Sequence, residues 1–532
     1  MVSDGRGGTG FLRRVTAPTL ALVVVAVTIF MTLTTYRLER TGLYFDELHQ
    51  AVGAFSWVGR PTEMFSILPI ASRPVFNMPY SGAIKTTVYG LFLRISGRPF
   101  SIVSWRLIGI LFSAGGITVF LLLTHERLTL VSQLILVALL LSDVNFLLQS
   151  RHDWGPVALA FLLRMLFLGL WVRWSNHLTR TRCAVLGLLV GVAIFEKLSS
   201  AVLIAPLAIM LLPRSDVPWL KRFCYAAGGV LVGTMPVIAA NIYWVVHHGE
   251  LLALAVTSSS TQTMADYAFN FLALGNGRQQ RQMIFNTAMH PWSEWLEAIA
   301  LTGLIASTLF IAVRSRRRHE EMPIAATALL CYAGVAVGLR YLPTATSINH
   351  WIIGTPFQYL ALGLVAGVRE ASLERLRTRL VLGTLLAVLL FARMPAVISA
   401  YQAIRDDRYN LSWHPSINDG AKFVAAQPDD TIVIAADWGV GTQIFCMANG
   451  RQDFMFEILS GGYDGPVTLE AILDNPARQV AIVALPRPPR DSATTRRVLH
   501  DMAVLKGWIA SSLEPPSLPA IELRAYQRVP DR

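Results

Sequence analysis

Runs of apolar residues long enough to cross a bilayer, about 20 residues each, recur along the first 400 positions of this chain. They fall near 16–36, 104–124, 128–148, 156–174, 183–197, 198–213, 223–246, 297–313, 323–342, 351–368 and 379–399, eleven in all. Inside a bilayer no water is present to satisfy backbone N–H and C=O groups, so such runs must be helices. The fifth and sixth are short and share the hinge Glu196-Lys197-Leu198-Ser199-Ser200. Composition agrees: 53% of the 532 residues are hydrophobic and 15% charged, where a soluble chain carries about a quarter charged. The expected fold is a polytopic α-helical membrane protein of about 11 transmembrane helices.

The formal net charge of +12 does not point to nucleic acid, because much of the Lys and Arg lies in short loops between apolar runs, where it sets topology. With the N-terminus inside, alternate segments hold Arg6, Arg13 and Arg14; Arg127; Arg173, Arg180 and Arg182; Arg214, Lys221 and Arg222; Arg314 and Arg316 to Arg318; and Arg369, Arg375, Arg377 and Arg379. The short loops opposite hold only Arg151, Lys197 and Arg340. This asymmetry predicts a multi-pass protein of the cell (plasma or inner) membrane with a cytoplasmic N-terminus. The basic start before Leu20 to Leu33 resembles a signal peptide, but the run is long and lacks a small-residue cleavage site, so it reads as an uncleaved first span. Cys183, Cys224, Cys331 and Cys446 form no CxxC pair and no disulfide framework.

Two outer loops are long. In 37–103, aromatic and basic residues (Phe55, Trp57, Phe65, Tyr80, Tyr89 with Arg60, Arg73, Lys85) mix with short apolar stretches, a pattern suited to helices lying in the interface. The loop 247–296 reads as a lid over a site. The chain divides into a membrane domain, 1–400, and a region 401–532 of different character. There, Thr431 to Ala435 and Val480 to Leu485 read as buried strands, Ile521 to Val529 alternates as a final strand, and 467–475 and 494–508 read as amphipathic helices. Strand–helix alternation predicts a small α/β domain, extracytoplasmic by parity. Asp437-Trp438-Gly439-Val440-Gly441 holds a GxG without the third glycine of a dinucleotide loop and reads as a tight turn.

Four polar clusters fall on the outer side: Asp46-Glu47, Arg151-His152-Asp153, Glu196-Lys197, and Arg340 with Asn349-His350-Trp351. Each has a bland explanation. Asp46 can cap a helix starting at Glu47, and Asp153 can cap the fourth span, whose first turn tolerates Pro156. Lys197 can snorkel, Arg340 can anchor a helix end, and His350 beside Trp351 can sit in the interfacial belt. Taken jointly they suggest chemistry. A carboxylate facing water at the membrane surface serves as general base, and Lys and Arg bind a phosphate and stabilise it as a leaving group. Adjacent helical residues point about 100° apart, so Asp46 and Glu47 cannot share one task as equals, and the base is assigned to Asp46.

A first outer loop opening on Phe45-Asp46-Glu47, the charged turn Arg151-His152-Asp153 before the fourth span, and Lys197 in the following hinge resemble the GT-C glycosyltransferases. More narrowly they resemble the branch of protein O-mannosyltransferases and lipid A aminoarabinose transferases. The resemblance covers about residues 15–400 and extends to the span count, the two long outer loops and the external C-terminal domain. It implies Asp46, with Glu47 beside it, as catalytic acid/base, Asp153 as the second acidic position, and Arg151, Lys197, Arg340 and His350 as phosphate- or substrate-binding residues. Arg151-His152-Asp153-Trp154 departs from the family's more usual Arg-Tyr pattern. No Asp-x-Asp motif occurs in the outer loops, so no metal or other cofactor is expected.

The expected function is transfer of a sugar from a polyprenyl-phosphate donor to a protein, lipid or polysaccharide acceptor outside the cytoplasm, by one inverting displacement, as in protein glycosylation. The competing expectation is a transporter or flippase for lipid-linked or anionic cargo. Transporters show internal repeats, broken helices and mid-membrane charges; the sequence shows no repeating halves, and its notable charges lie at helix ends.

Overall fold

A computed structural model describes residues 15–60, 62, 67–70, 72–212, 217–252, 263–287, 291–315, 321–342, 348–367, 373–428, 431–436, 439–451, 455–457, 479–487 and 508–529. The chain opens with α1 (Ala17–Thr35), α2 (Phe45–Val52), strands β1 (Ile67–Ile70), β2 (Arg73–Met78) and β3 (Ser81–Gly82), and α3 (Ile84–Ser96). Next come α4 (Ile102–Thr124), α5 (Leu130–Leu141), α6 (Val144–His152), α7 (Val157–Trp174) and α8 (Arg180–Glu196). They are followed by α9 (Ile204–Leu211), α10 (Trp219–Gly233), α11 (Met235–His248), α12 (Met264–Leu272) and α13 (Arg278–Phe285). Then α14 (Pro291–Ser315), α15 (Glu321–Tyr341), α16 (Ile348–Trp351), α17 (Thr355–Ala366) and α18 (Leu373–Arg405) lead to the C-terminal elements. Those are α19 (Ser416–Ala425), β4 (Thr431–Ala435), α20 (Gly441–Met447), β5 (Met455–Glu457), β6 (Val480–Pro486), β7 (Trp508–Ala510) and β8 (Ile521–Arg528).

Among the described residues six helices are long and apolar enough to cross a membrane, or up to eight if each of two bent pairs is one span. The count differs from eleven for physical reasons. The run near 128–148 breaks by 67° between α5 and α6, and that near 223–246 by 60° between α10 and α11. Pro236, in the first turn of α11, cannot continue a helix from before it. The runs near 198–213 and 351–368 hold only short helices, Leu198–Leu211 and Thr355–Ala366, and that near 183–197 lies in a helix of 17 residues, Arg180–Glu196.

The contacts divide the chain into two compact units, and they do not follow chain order. The first holds Met1–Tyr36, Gly109–Arg281 and Thr287–Ala400; the second holds Arg37–Ile108, Gln282–Asn286 and Tyr401–Arg532. In the first, α8 and α10 cross through paired glycines, Gly187 and Gly191 against Gly229 and Gly233. A Cβ on Gly187 would stand 2.0 Å from the Ala226 carbonyl oxygen, and one on Gly229 2.1 Å from that of Ala184. Without a hydrophobic drive between helices in lipid, such small-residue seams let backbones approach and gain dispersion contacts.

The second unit is built on a five-stranded sheet of order β5-β4-β6-β8-β7. β4 runs parallel to β5 and β6, while β8 is antiparallel to β6 and β7. The three expected strands are therefore present; the helix expected at 467–475 and all of that expected at 494–508 but its last residue lie outside the described residues, and that residue, Trp508, opens β7. Gly439 has φ +100 and lies in a turn, whereas Asp437 and Trp438 lie outside the described residues. All five residues of β4 are buried, so both faces are covered. Ile432, Ile434, Val483 and Trp508 pack on one side. On the other, Val433, Ile482 and Leu523 share a core with Leu48, Phe55, Tyr89 and Trp105.

The stretch 37–103 thus contributes buried residues to this unit's core. Its tie to the C-terminal region is specific. The Gly42 N–H donates to the Trp413 carbonyl at 2.8 Å, Tyr44 stacks on Trp413 at 4.6 Å, and the Leu43 N–H and C=O pair with Asn418 Oδ1 and Gln443 Nε2 at 2.9 and 3.1 Å.

Candidate functional site

In the second unit α2 starts at Phe45, with Tyr44 as N-cap and no side-chain capping bond. Asp46 therefore sits inside the first turn rather than at the cap, where the helix N-terminus favours its negative charge. It is half-buried, and its charge acts on the Tyr80 hydroxyl, which burial holds above its usual range. Glu47 is fully buried and engaged: Arg106 donates Nε to Oε1 at 2.7 Å and Nη2 to Oε2 at 2.9 Å. The same guanidinium donates to the carbonyls of Leu38, Thr41 and Gly42 at 2.7, 2.9 and 3.2 Å. Glu47 and Arg106 thereby lock the chain entering α2 and leave Asp46 as the half-exposed carboxylate of the pair.

One turn on, His49 shares Asp46's face of the helix. Its Nε2 lies 2.8 Å from the Asn77 carbonyl, which fixes the tautomer with the proton on Nε2. Burial pushes its pKa down to about 4, so the ring is neutral. Lys85, also buried, holds Nζ 3.7 Å over the Trp105 ring. His49 and Arg106 were readable from the sequence: the one is a titratable residue three positions after Asp46, the other a lone cation inside an apolar run.

In the first unit three of the four predicted clusters meet. Asp153 has φ +48 and closes α6, its N–H donating to the Gln149 carbonyl at 2.7 Å. Its Oδ1 accepts the Ala158 N–H at 2.7 Å in the first turn of α7, so it does begin that helix. Two residues on, the Gly155 carbonyl accepts from Lys197 Nζ at 2.8 Å, and the Asn349 carbonyl accepts from the same Nζ at 3.2 Å. His350 is neutral, held well below its usual pKa by burial, with the Lys197 charge adding to the effect. Lys197 is nearly fully buried, a cation held by carbonyl oxygens rather than snorkelling to water.

Arg151 and Arg340 lie apart from that cluster. Arg151 Nη1 donates to the carbonyls of Thr34, at 3.1 Å, and Tyr36 at the end of α1, where a cation complements the helix dipole. Arg340 lines a cavity of about 1050 Å³ walled by α9, α12, α14 and α15, with Tyr267, Phe271, Ile305, Leu330 and Tyr332 among its lining. The wall residue Tyr267 meets Trp351 edge to face at 5.6 Å, and Trp351 directly follows His350. Through that contact one wall residue of the cavity touches the residue beside His350. The described part of the 247–296 loop supplies α12 as a cavity wall.

Charges inside the spans correct the expectation that the notable ones lie at helix ends. Arg393 of α18 and Glu297 of α14 are both fully buried, with Nε and Oε1 2.8 Å apart. Among the described residues no group of three or more His, Cys, Asp or Glu side chains has the placement to hold a metal ion. No protein-family model matches the chain, and no curated protein matches it.

Proposed function

We propose that the chain is an integral-membrane glycosyltransferase that moves a sugar from a polyprenyl-phosphate donor to an acceptor outside the cytoplasm. The observation that carries this reading is the apolar cavity with Arg340 in its lining and the Lys197–His350 cluster behind Trp351. Its volume matches that of ligand sites generally, and those are apolar with a few convergent polar groups. An isoprenoid tail fits the apolar walls, and its phosphate fits the cation Arg340. Asp46 takes the role of base, because Glu47 is consumed by Arg106. Asp153, holding Ala158 and closing α6, orders the Lys197 side. The acceptor class, whether protein, lipid or polysaccharide, follows from no residue described.

A second reading, a transporter for lipid-linked or anionic cargo, is favoured by the two broken helices and the buried charges of α14 and α18, features common in transporters. Purified full-length chain in proteoliposomes, supplied with a panel of radiolabelled polyprenyl-phosphate sugars, separates the two. Sugar transfer in the wild type that collapses in Asp46→Asn, with folding and donor binding kept, supports the transferase. Equal transfer in both removes Asp46 as base. Lipid-linked sugar crossing the bilayer without transfer supports the transporter.

A further inference from the structure

The break between α5 and α6 leaves backbone groups that a membrane interior cannot hydrate. Two charged side chains, Arg393 and Asp143, reach them, and a third, Glu297, holds Arg393. Arg393 Nη1 donates to the Leu139 carbonyl at 3.2 Å and to Ser142 Oγ at 3.5 Å. Asp143 Oδ1 accepts the Phe146 N–H at 2.7 Å, and its Oδ2 accepts the Tyr359 hydroxyl at 2.7 Å. Glu297 Oε1 accepts Arg393 Nε at 2.8 Å. The guanidinium also lies 5.3 Å from the Tyr359 ring centre. Asp143, Glu297 and Arg393 are each 0% exposed.

Their charges do not balance: two carboxylates face one guanidinium. Among the described residues the packing elements offer nothing to close the gap. α5 and α17 carry no charged residue. On α13 and α14, Arg278 pairs with Glu294 at 3.0 Å, and Arg281 donates to Ser399 Oγ. On α6, Arg151 serves the end of α1 and His152 lies with it at the far end. The other cations of α18 are turns away from Arg393. An uncompensated charge in so dry a place is neutralised by a proton in preference to being borne.

The hydrogen bonds say which carboxylate takes the proton. Both Asp143 oxygens already accept, as an ionised helix cap should. Glu297 uses one oxygen, and among the described residues nothing meets hydrogen-bond geometry at its buried Oε2. The Asn276 side chain stands beside that carboxyl, its Oδ1 accepting the Arg278 N–H at 2.7 Å. We infer that Asp143, Glu297, Arg393 and Tyr359 form a proton-binding site within the membrane unit, and that Glu297 carries the proton. The site binds one proton from water at Glu297 Oε2 to give a neutral carboxyl, leaving Arg393 and Asp143 as a balanced pair. It stands independently of the transferase reading.

Infrared difference spectra of the full-length chain in nanodiscs test it. Wild type minus Glu297→Gln is expected to show the loss of a protonated-carboxyl band that shifts in D₂O, while Asp143→Asn retains that band. Because glutamine imitates the neutral acid, Glu297→Gln is expected to fold and to melt within a few degrees of wild type. Raising the pH is expected to lower the amide protection factors of Val144–His152, corrected for intrinsic base-catalysed exchange, in wild type and not in Glu297→Gln. A difference spectrum showing only an ionised carboxylate, a band lost in Asp143→Asn instead, a Glu297→Gln chain that fails to fold, or pH-dependent protection equal in both proteins would each overturn the inference.

Discussion

Glu47 and Arg106, 59 positions apart, join through two hydrogen bonds of 2.7 and 2.9 Å, with neither side chain exposed. The neighbouring carboxylate, Asp46, is half-exposed on the same turn. Two adjacent acids of one motif thus have different physical duties. Removing one member of a buried pair strands the other charge and costs about 3–5 kcal/mol. Glu47→Gln and Arg106→Leu are therefore expected to lower the melting temperature and the yield of folded protein sharply, while Asp46→Asn melts like wild type. Differential scanning fluorimetry of the three variants checks this; a stable Glu47→Gln would remove the pair's structural role.

His49 gives a pH dependence with a definite sign. Its folded pKa, about 4, lies below the ordinary 6.5, so the unfolded chain takes up the proton first as pH falls. The stability contribution is fully present above about pH 6.5 and is lost as pH drops towards 4. The difference corresponds to about 3 kcal/mol. Melting temperatures measured from pH 8 to pH 4 are expected to fall across that window, and less steeply in His49→Gln.

The glycine seam of α8 and α10 predicts a contrast between neighbours. Gly229→Val places side-chain atoms against the Ala184 carbonyl, which backbone cannot yield, and overpacking costs about 1–3 kcal/mol. A Cβ on Gly228 meets nothing within 4 Å, so Gly228→Ala is expected to be neutral or to gain a few tenths of a kcal/mol through helix propensity. Thermal melts in one detergent compare them directly.

If Arg340 binds the donor phosphate, Arg340→Gln loses a charge-assisted hydrogen bond. About tenfold weaker donor affinity is expected, seen as a raised KM with kcat little changed. Ala336→Trp, which fills the cavity from α15, is expected to do the same for long-tailed donors and less for short-tailed ones.

The hydropathy pattern finds the long helices because it measures what the bilayer selects. It passes over Ser142-Asp143, since leucines on one side and Val144, Phe146, Leu147 and Leu148 on the other keep the average apolar through a 67° bend. Arg106, Glu297 and Arg393 are each visible as charges inside apolar runs. Their pairing is not, because the partners are 59 and 96 positions away. The parallel strands β4 and β6 read clearly from unbroken runs of branched residues, whereas β1 to β3, short and holding Pro69 and Pro74, carry no period-two signal. Lys197, His350 and the Asp153 turn group by sidedness alone; that the Lys197 Nζ reaches the Gly155 and Asn349 carbonyls depends on where α8 ends, which no local pattern encodes.

The shared core of Arg37–Ile108 and Tyr401–Arg532 also sets a timetable for synthesis. At about 5–20 residues per second, the roughly 300 intervening residues take tens of seconds to emerge. Throughout that time Leu48, Phe55, Tyr89 and Trp105 stand without the strands that cover them. The half-built unit must be shielded or held at the lipid surface until β4, β6 and β8 arrive. A nascent chain arrested before residue 431 is accordingly a substrate for quality control, however well its spans have inserted.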